Sequence, residues 1–318
     1  MPFTSMPLNF GLDFTETIRS IKREIFGESI PPIFYHYTGL KGVLGIGGSC
    51  SFHAISTEDL ADKTEIQHGV AIVQEEIQHA LNRPGSRFAQ WLLESLPDSL
   101  SARKAWTFTT CFCLELGSAF HCFKYGGYCL QVDTLSAPDP RLRPQGLLAD
   151  VQYQRVLYVE SEKRAAVRHA VDAIIACAGK SSRGNLQGPW AESIGRSHSR
   201  IAAQCLMDIV ASLKSPEYAK DREWRIVCHP RFSIAASAPD LDDDAFRCLI
   251  KTRDDKKRYV ELSILEQGQT FGSFPETVLP FSAIYVANDF REGSQEHSAI
   301  LKMLERSGRP DIPLVPFP

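Results

Sequence analysis

The densest chemistry in the chain is the run Asp221-Arg222-Glu223-Trp224-Arg225-Ile226-Val227. Read as a strand, it sends Asp221, Glu223 and Arg225 to one face and Trp224 and Ile226 to the other, toward a core. Two carboxylates and a guanidinium in line are costly to bury unless they pair or meet a polar ligand. The pattern therefore fits a solvated, salt-bridged strand face or the wall of a cleft. A second candidate is Tyr35-His36-Tyr37-Thr38, where alternation puts His36 and Thr38 on one face and Tyr35 and Tyr37 on the other. Imidazole and hydroxyl both donate and accept, which suits a ribose or an amide edge, although a strand histidine also serves as a hydrogen-bonded structural group. The third, Asp62-Lys63-Thr64-Glu65, reads as the cap and first turn of a helix.

Other familiar chemistries lack their fingerprints. The chain has no G-x-x-x-x-G-K-[ST], G-x-G-x-x-G or G-x-S-x-G. Asp242-Asp243-Asp244 reads as a solvated loop, and Lys256-Lys257-Arg258 after Asp254-Asp255 as a turn surface. Nine cysteines are spread along the chain without a C-x-x-C pair, so buried reduced thiols are expected and no metal site. Cys111 and Cys113 would share one face of a strand.

The elements that must position these groups follow from hydrophobic period. Residues 12–26 carry Ile18, Ile21 and Ile25 at helical spacing, and Pro31-Pro32 ends that helix. IFYHY and SFHAIS read as strands flanking a short helix that closes at Gly47-Gly48. Residues 66–83 and 87–96 read as helices around a Pro84-Gly85 break, and 161–179 and 199–214 as two more. Strands are expected in 104–133, with a turn at Gly126-Gly127, then in ADVQYQRVLYV, REWRIVCH, RYVELSIL and FSAIYVAN, with a closing helix near 294–307. Grouped rather than alternating elements give an α+β fold. The expected organisation is an N-terminal helical segment over 1–32 and one domain over 33–318, carrying a helical insertion at about 161–214.

Composition narrows the class. With 35 basic and 38 acidic side chains the net charge is −3, which lacks the basic excess of a nucleic-acid scaffold. No run reaches the roughly 18 apolar residues a membrane helix needs. The first residues do not read as a secretory signal, and a cytoplasmic protein without membrane partners is expected.

In order along the chain, the motifs resemble a bacterial family called domain of unknown function twenty-nine seventy-one. FYHYT with the following helix, SFHAIS strand and TEDLADKTE turn is similar to its opening. Cys111-Phe112-Cys113, Phe120 and Phe123, Gly127-Tyr128-Cys129-Leu130 and Val151-Gln152-Tyr153 stand at its middle signatures, and Asp221-Arg222-Glu223-Trp224-Arg225 at its late E-x-E-x-R strand. The likeness spans about residues 33–290 and implies an ADP-ribosyltransferase-like split β-sheet core with flanking helices, holding NAD as substrate. It implies NAD contacts at His36, Tyr37, Thr38, Phe120, Phe123 and Arg225, a catalytic carboxylate at Glu223, and a second acid at Asp221. The implied activity is transfer of ADP-ribose to a protein or nucleic-acid acceptor, or to water, as in a toxin or phage-defence effector with an antitoxin or sensor partner. Two other readings compete: a non-catalytic nucleotide- or protein-binding module on the same fold, and a nuclease with Asp62, Asp221 and Glu223 around a divalent metal.

Overall fold

A computed structural model describes residues 9–27, 29–117, 124–134, 142–144, 149–181, 189–230, 250–264, 279–287 and 290–318. The chain is mixed α and β with a mixed sheet, and it divides into two compact units.

The first unit comprises residues 1–28, 57–107 and 157–217 and is helical. It contains α1 (Asn9–Phe26), α3 (Lys63–Leu81), α4 (Arg87–Lys104), α5 (Glu160–Ser181) and α6 (Pro189–Val210). Their apolar stripes meet in one core, with Phe14, Ile18 and Ile21 from α1, Val73 and Ile77 from α3, Leu92, Leu96 and Leu100 from α4, Val167 and Val171 from α5, and Leu206 and Ile209 from α6. This differs from the division expected from sequence. The leading helix and the 63–104 helices bury their stripes with the 160–210 pair, so three stretches of chain build one unit instead of a segment and an insertion.

Two local readings gain detail. Asp62 is the N-cap of α3, accepting from the Thr64 amide at 2.9 Å, so that acid is used structurally. Helix α4 runs through Pro97 to Lys104, beyond the expected end at 96. Burying Leu96 and Leu100 on either side of Pro97 outweighs the hydrogen bond that proline cannot donate.

The helical core also contains an ion pair. Lys22 Nζ of α1 donates to Asp208 Oδ2 of α6 at 2.6 Å, with both side chains buried. Arg103 lies close enough to Asp208 to feel its charge. Burial, with Arg200 nearby, lowers the Arg103 guanidinium to about 10.

The second unit comprises residues 29–56, 108–156 and 218–318. Its strands are β1 (Ile33–Thr38), β2 (Ser51–Ser56), β3 (Phe108–Cys113), β4 (Tyr128–Asp133), β5 (Leu142–Pro144), β6 (Ala149–Arg155), β7 (Glu223–Pro230), β8 (Lys251–Thr252), β9 (Arg258–Ile264), β10 (Ala283–Val286) and β11 (Leu314–Pro316). Helices α2 (Leu40–Ser49) and α7 (Gln295–Arg306) complete it. All pairings between these strands are antiparallel except β10 with β11.

The sheet forks at β3. One edge of β3 pairs with β7 from Phe108 to Cys113. The other edge pairs first with β2, at Ser56–Phe108 and Ile55–Thr109, and then with β1, at Tyr35–Cys113. Strands β1, β4, β10 and β11 continue from one arm, and β2, β9 and β5 from the other.

Because residues directly opposite in a ladder share a face, period two sorts the side chains. Phe34, Phe52, Phe112, Trp224 and Ile226 enter one core with Val43 and Ile46 of α2 and Ile300 and Leu304 of α7. Tyr35, Cys111, Cys113, Glu223 and Arg225 belong to the other face.

Candidate functional site

Strand β7 starts at Glu223 because of its approach. Residues Pro216–Asp221 form a 3₁₀ helix, and Arg222 then takes a left-handed φ of 43° before the chain extends. Asp221 therefore ends a helix instead of alternating within the strand, which corrects the reading of a three-residue acidic and basic row. The solvated-face reading is also corrected. Glu223 is 5% exposed and Arg225 is 2% exposed, so β7 is buried on both faces. Arg225 Nε donates to Glu223 Oε1 at 2.6 Å, a charge-assisted bond within one strand that offsets the burial of both groups.

Asp221 joins them from outside the strand. It is 8% exposed, and the Tyr125 hydroxyl donates to its Oδ2 at 3.4 Å. Burial, followed by the charges of Asp221 and Glu223, pushes the Tyr125 phenol well above its ordinary value. Tyr125 is therefore a neutral donor at any physiological pH. It is positioned by the turn after it, where Gly126 and Gly127 have φ of 114° and 90°. A Cβ on Gly126 would meet the Gly39 Cα at 2.7 Å, so only glycine fits that approach.

Tyr37 reaches the same group of side chains. Its hydroxyl accepts from the Gly117 amide, its ring stacks on Phe317 at 6.1 Å, and it lies 6.2 Å from the Tyr125 ring. Cys113 and Cys111 stand opposite Glu223 and Arg225 in the ladder as half-buried cysteines outside any disulfide.

His36 and Thr38 point elsewhere. His36 is half-buried, with its ring against Phe52 at 5.0 Å and Phe112 at 5.5 Å, on the core face. Thr38 sits so close to α2 that a Cβ on Gly42 would fall 1.9 Å from its Oγ1. The structure thus brings together Tyr37, Asp221, Glu223 and Arg225, but not His36 or Thr38 with them. Phe120 and Phe123 lie outside the described residues. Asp242–Asp244 do as well. The sequence reading missed Tyr125, whose only local signal is its place before a double glycine.

His36 has a definite local task. Between the registers of β2 and β1, its Nδ1 bonds the Cys111 carbonyl at 2.9 Å. A carbonyl can only accept, so Nδ1 carries the proton and Nε2 keeps a lone pair. Burial lowers the imidazole below its ordinary value, opposed by that hydrogen bond. The unfolded chain therefore binds this proton first as pH falls through 6.5. Stability contributed by neutral His36 is complete above that pH and declines below it until the folded value is passed. Urea midpoints should fall between pH 7.5 and pH 5, and His36→Gln should reduce that slope. Equal slopes would remove His36 as the titrating group.

Among the described residues, no group of three or more His, Cys, Asp or Glu side chains is arranged to hold a metal ion. No described helix is long and apolar enough to cross a membrane. Compared with protein-family models, curated proteins and solved structures, the chain gives no match.

Proposed function

We propose that the face carrying Glu223 cleaves the bond between nicotinamide and ribose in NAD and passes ADP-ribose to a protein or nucleic-acid acceptor or to water. The observation that carries this reading is the clustering of two buried carboxylates, Glu223 and Asp221, with one guanidinium and a neutral phenol. Loss of nicotinamide develops positive charge at the ribose, and a carboxylate fixed beforehand stabilises it without reorganising. Arg225 fixes Glu223 in place, Tyr125 holds Asp221, and Tyr37 lends an aromatic wall. An acceptor ordered beside the ribose gains from proximity. His36 acts at a distance in this scheme, holding β1 against β3 at the fork.

A chain with this chemistry fits a toxin or phage-defence effector, restrained by an antitoxin or released by a sensor. One observation favours a binding module instead, since Glu223 already spends an oxygen on Arg225 and is 5% exposed. Purified protein incubated with NAD separates the two. Nicotinamide release supports cleavage. Thermal stabilisation by NAD without release supports binding alone.

A further inference from the structure

Aromatic rings continue outward from Tyr37. Phe317, Tyr37 and Tyr125 follow one another with centroids 6.1 and 6.2 Å apart. Beyond them the exposed Lys124 puts its ammonium 4.8 Å from the Tyr125 centroid and 4.9 Å from that of Tyr218. Among the described residues Lys124 makes no ion pair. Its ammonium is held by two ring faces, and one of those rings bonds Asp221 through its hydroxyl. Ring faces are negative, so two tyrosines with a carboxylate behind one of them form a setting for positive charge.

We propose that Tyr125 and Tyr218 form a slot for an organic cation, and that Lys124 fills this slot until such a ligand displaces it. A primary ammonium is compact and strongly hydrated, so it is a poor permanent guest between rings. A methylated ammonium or N-alkylpyridinium spreads its charge over an apolar surface and loses less on leaving water, so it displaces the lysine. The nicotinamide end of NAD belongs to the second class. Lys124 is then a specificity-determining residue, because a neutral guest gains less from the ring faces than the lysine does. The inference takes from the reading above only that this face meets a ligand, and it needs no cleavage.

Choline and its neutral isostere 3,3-dimethylbutan-1-ol test it, with binding to the full-length protein followed by ligand NMR. Lys124→Ala should bind choline about tenfold tighter than wild type, by removing a competing like charge. Lys124→Arg should bind choline more weakly, because a guanidinium stacks on rings better than an ammonium. Tyr218→Ala added to Lys124→Ala should cancel the gain. Unchanged or weaker choline binding in Lys124→Ala, or equal binding of the alcohol and choline, overturns the proposal. A choline gain in a protein that releases no nicotinamide keeps the slot and removes the cleavage reading. Release without the gain does the reverse.

Discussion

Asp208→Ala should destabilise the helical unit by about 3–5 kcal/mol, the range for breaking a buried ion pair from one side. Lys22 and Asp208 meet at 2.6 Å, with Asp208 fully buried and Lys22 7% exposed. Removing the acid takes this counter-charge away from the buried Lys22 ammonium. It also removes a negative charge that favours the charged form of Arg103, whose guanidinium burial already disfavours. The double variant Lys22→Met with Asp208→Leu should be more stable than Asp208→Ala alone, since it leaves no unpaired charge at that contact. Urea unfolding gives the total effect, and hydrogen exchange in Asn9–Phe26 locates it, because α1 contributes Lys22. A loss below about 1 kcal/mol for Asp208→Ala would mean that water reaches the pair and screens it as at a surface.

That pair shows where sequence reading stops. Ile18, Ile21 and Ile25 mark the face of α1 that packs, and the structure places Ile18 and Ile21 in the core. Lys22 lies between them and reads as an ordinary polar residue at the edge of the stripe. Its burial depends on an acid 186 positions away, which no local period reveals. Strands were legible where alternation is strict: IFYHY, SFHAIS and REWRIVCH all appear as β1, β2 and β7. The grouping of strands and helices gave α+β. The division into units was not legible, because helices contributed by three stretches of chain share a core by shape, and shape is absent from periodicity.

The candidate site divides in the same way. Alternation separates His36 from Tyr37, and the structure keeps that separation, with His36 against Phe52 and Phe112 and Tyr37 beside Tyr125. What alternation lacked was the pairing of β1, β3 and β7. That pairing puts Tyr35, Cys113 and Glu223 on one face and leaves His36 on the other. Asp221 was expected two residues up the same strand. The left-handed Arg222 breaks the strand there, and Asp221 instead accepts from Tyr125, which stands just before β4. Backbone turns of this kind are set by packing around them.

Arg225 and Glu223 should separate structure from chemistry when changed one at a time. Arg225→Met removes the donor at 2.6 Å and leaves a carboxylate 5% exposed, so a loss of about 3–5 kcal/mol is expected. Glu223→Gln keeps the amide oxygen where Oε1 accepts from Arg225, so its stability loss should be the smaller of the two. Its chemical loss should be large. If Glu223 stabilises charge at the ribose, removing that charge should slow nicotinamide release by about a hundredfold to a thousandfold, as for other fixed groups placed where charge develops. The combination Glu223→Gln with Arg225→Met removes both members of the strand's ion pair and should regain part of the stability lost in Arg225→Met, while releasing no nicotinamide. A pair that served only the fold would give a different series, with stability changes alone and Glu223→Gln cleaving NAD at the wild-type rate. That result would sink the catalytic assignment and leave β7 as a structural strand.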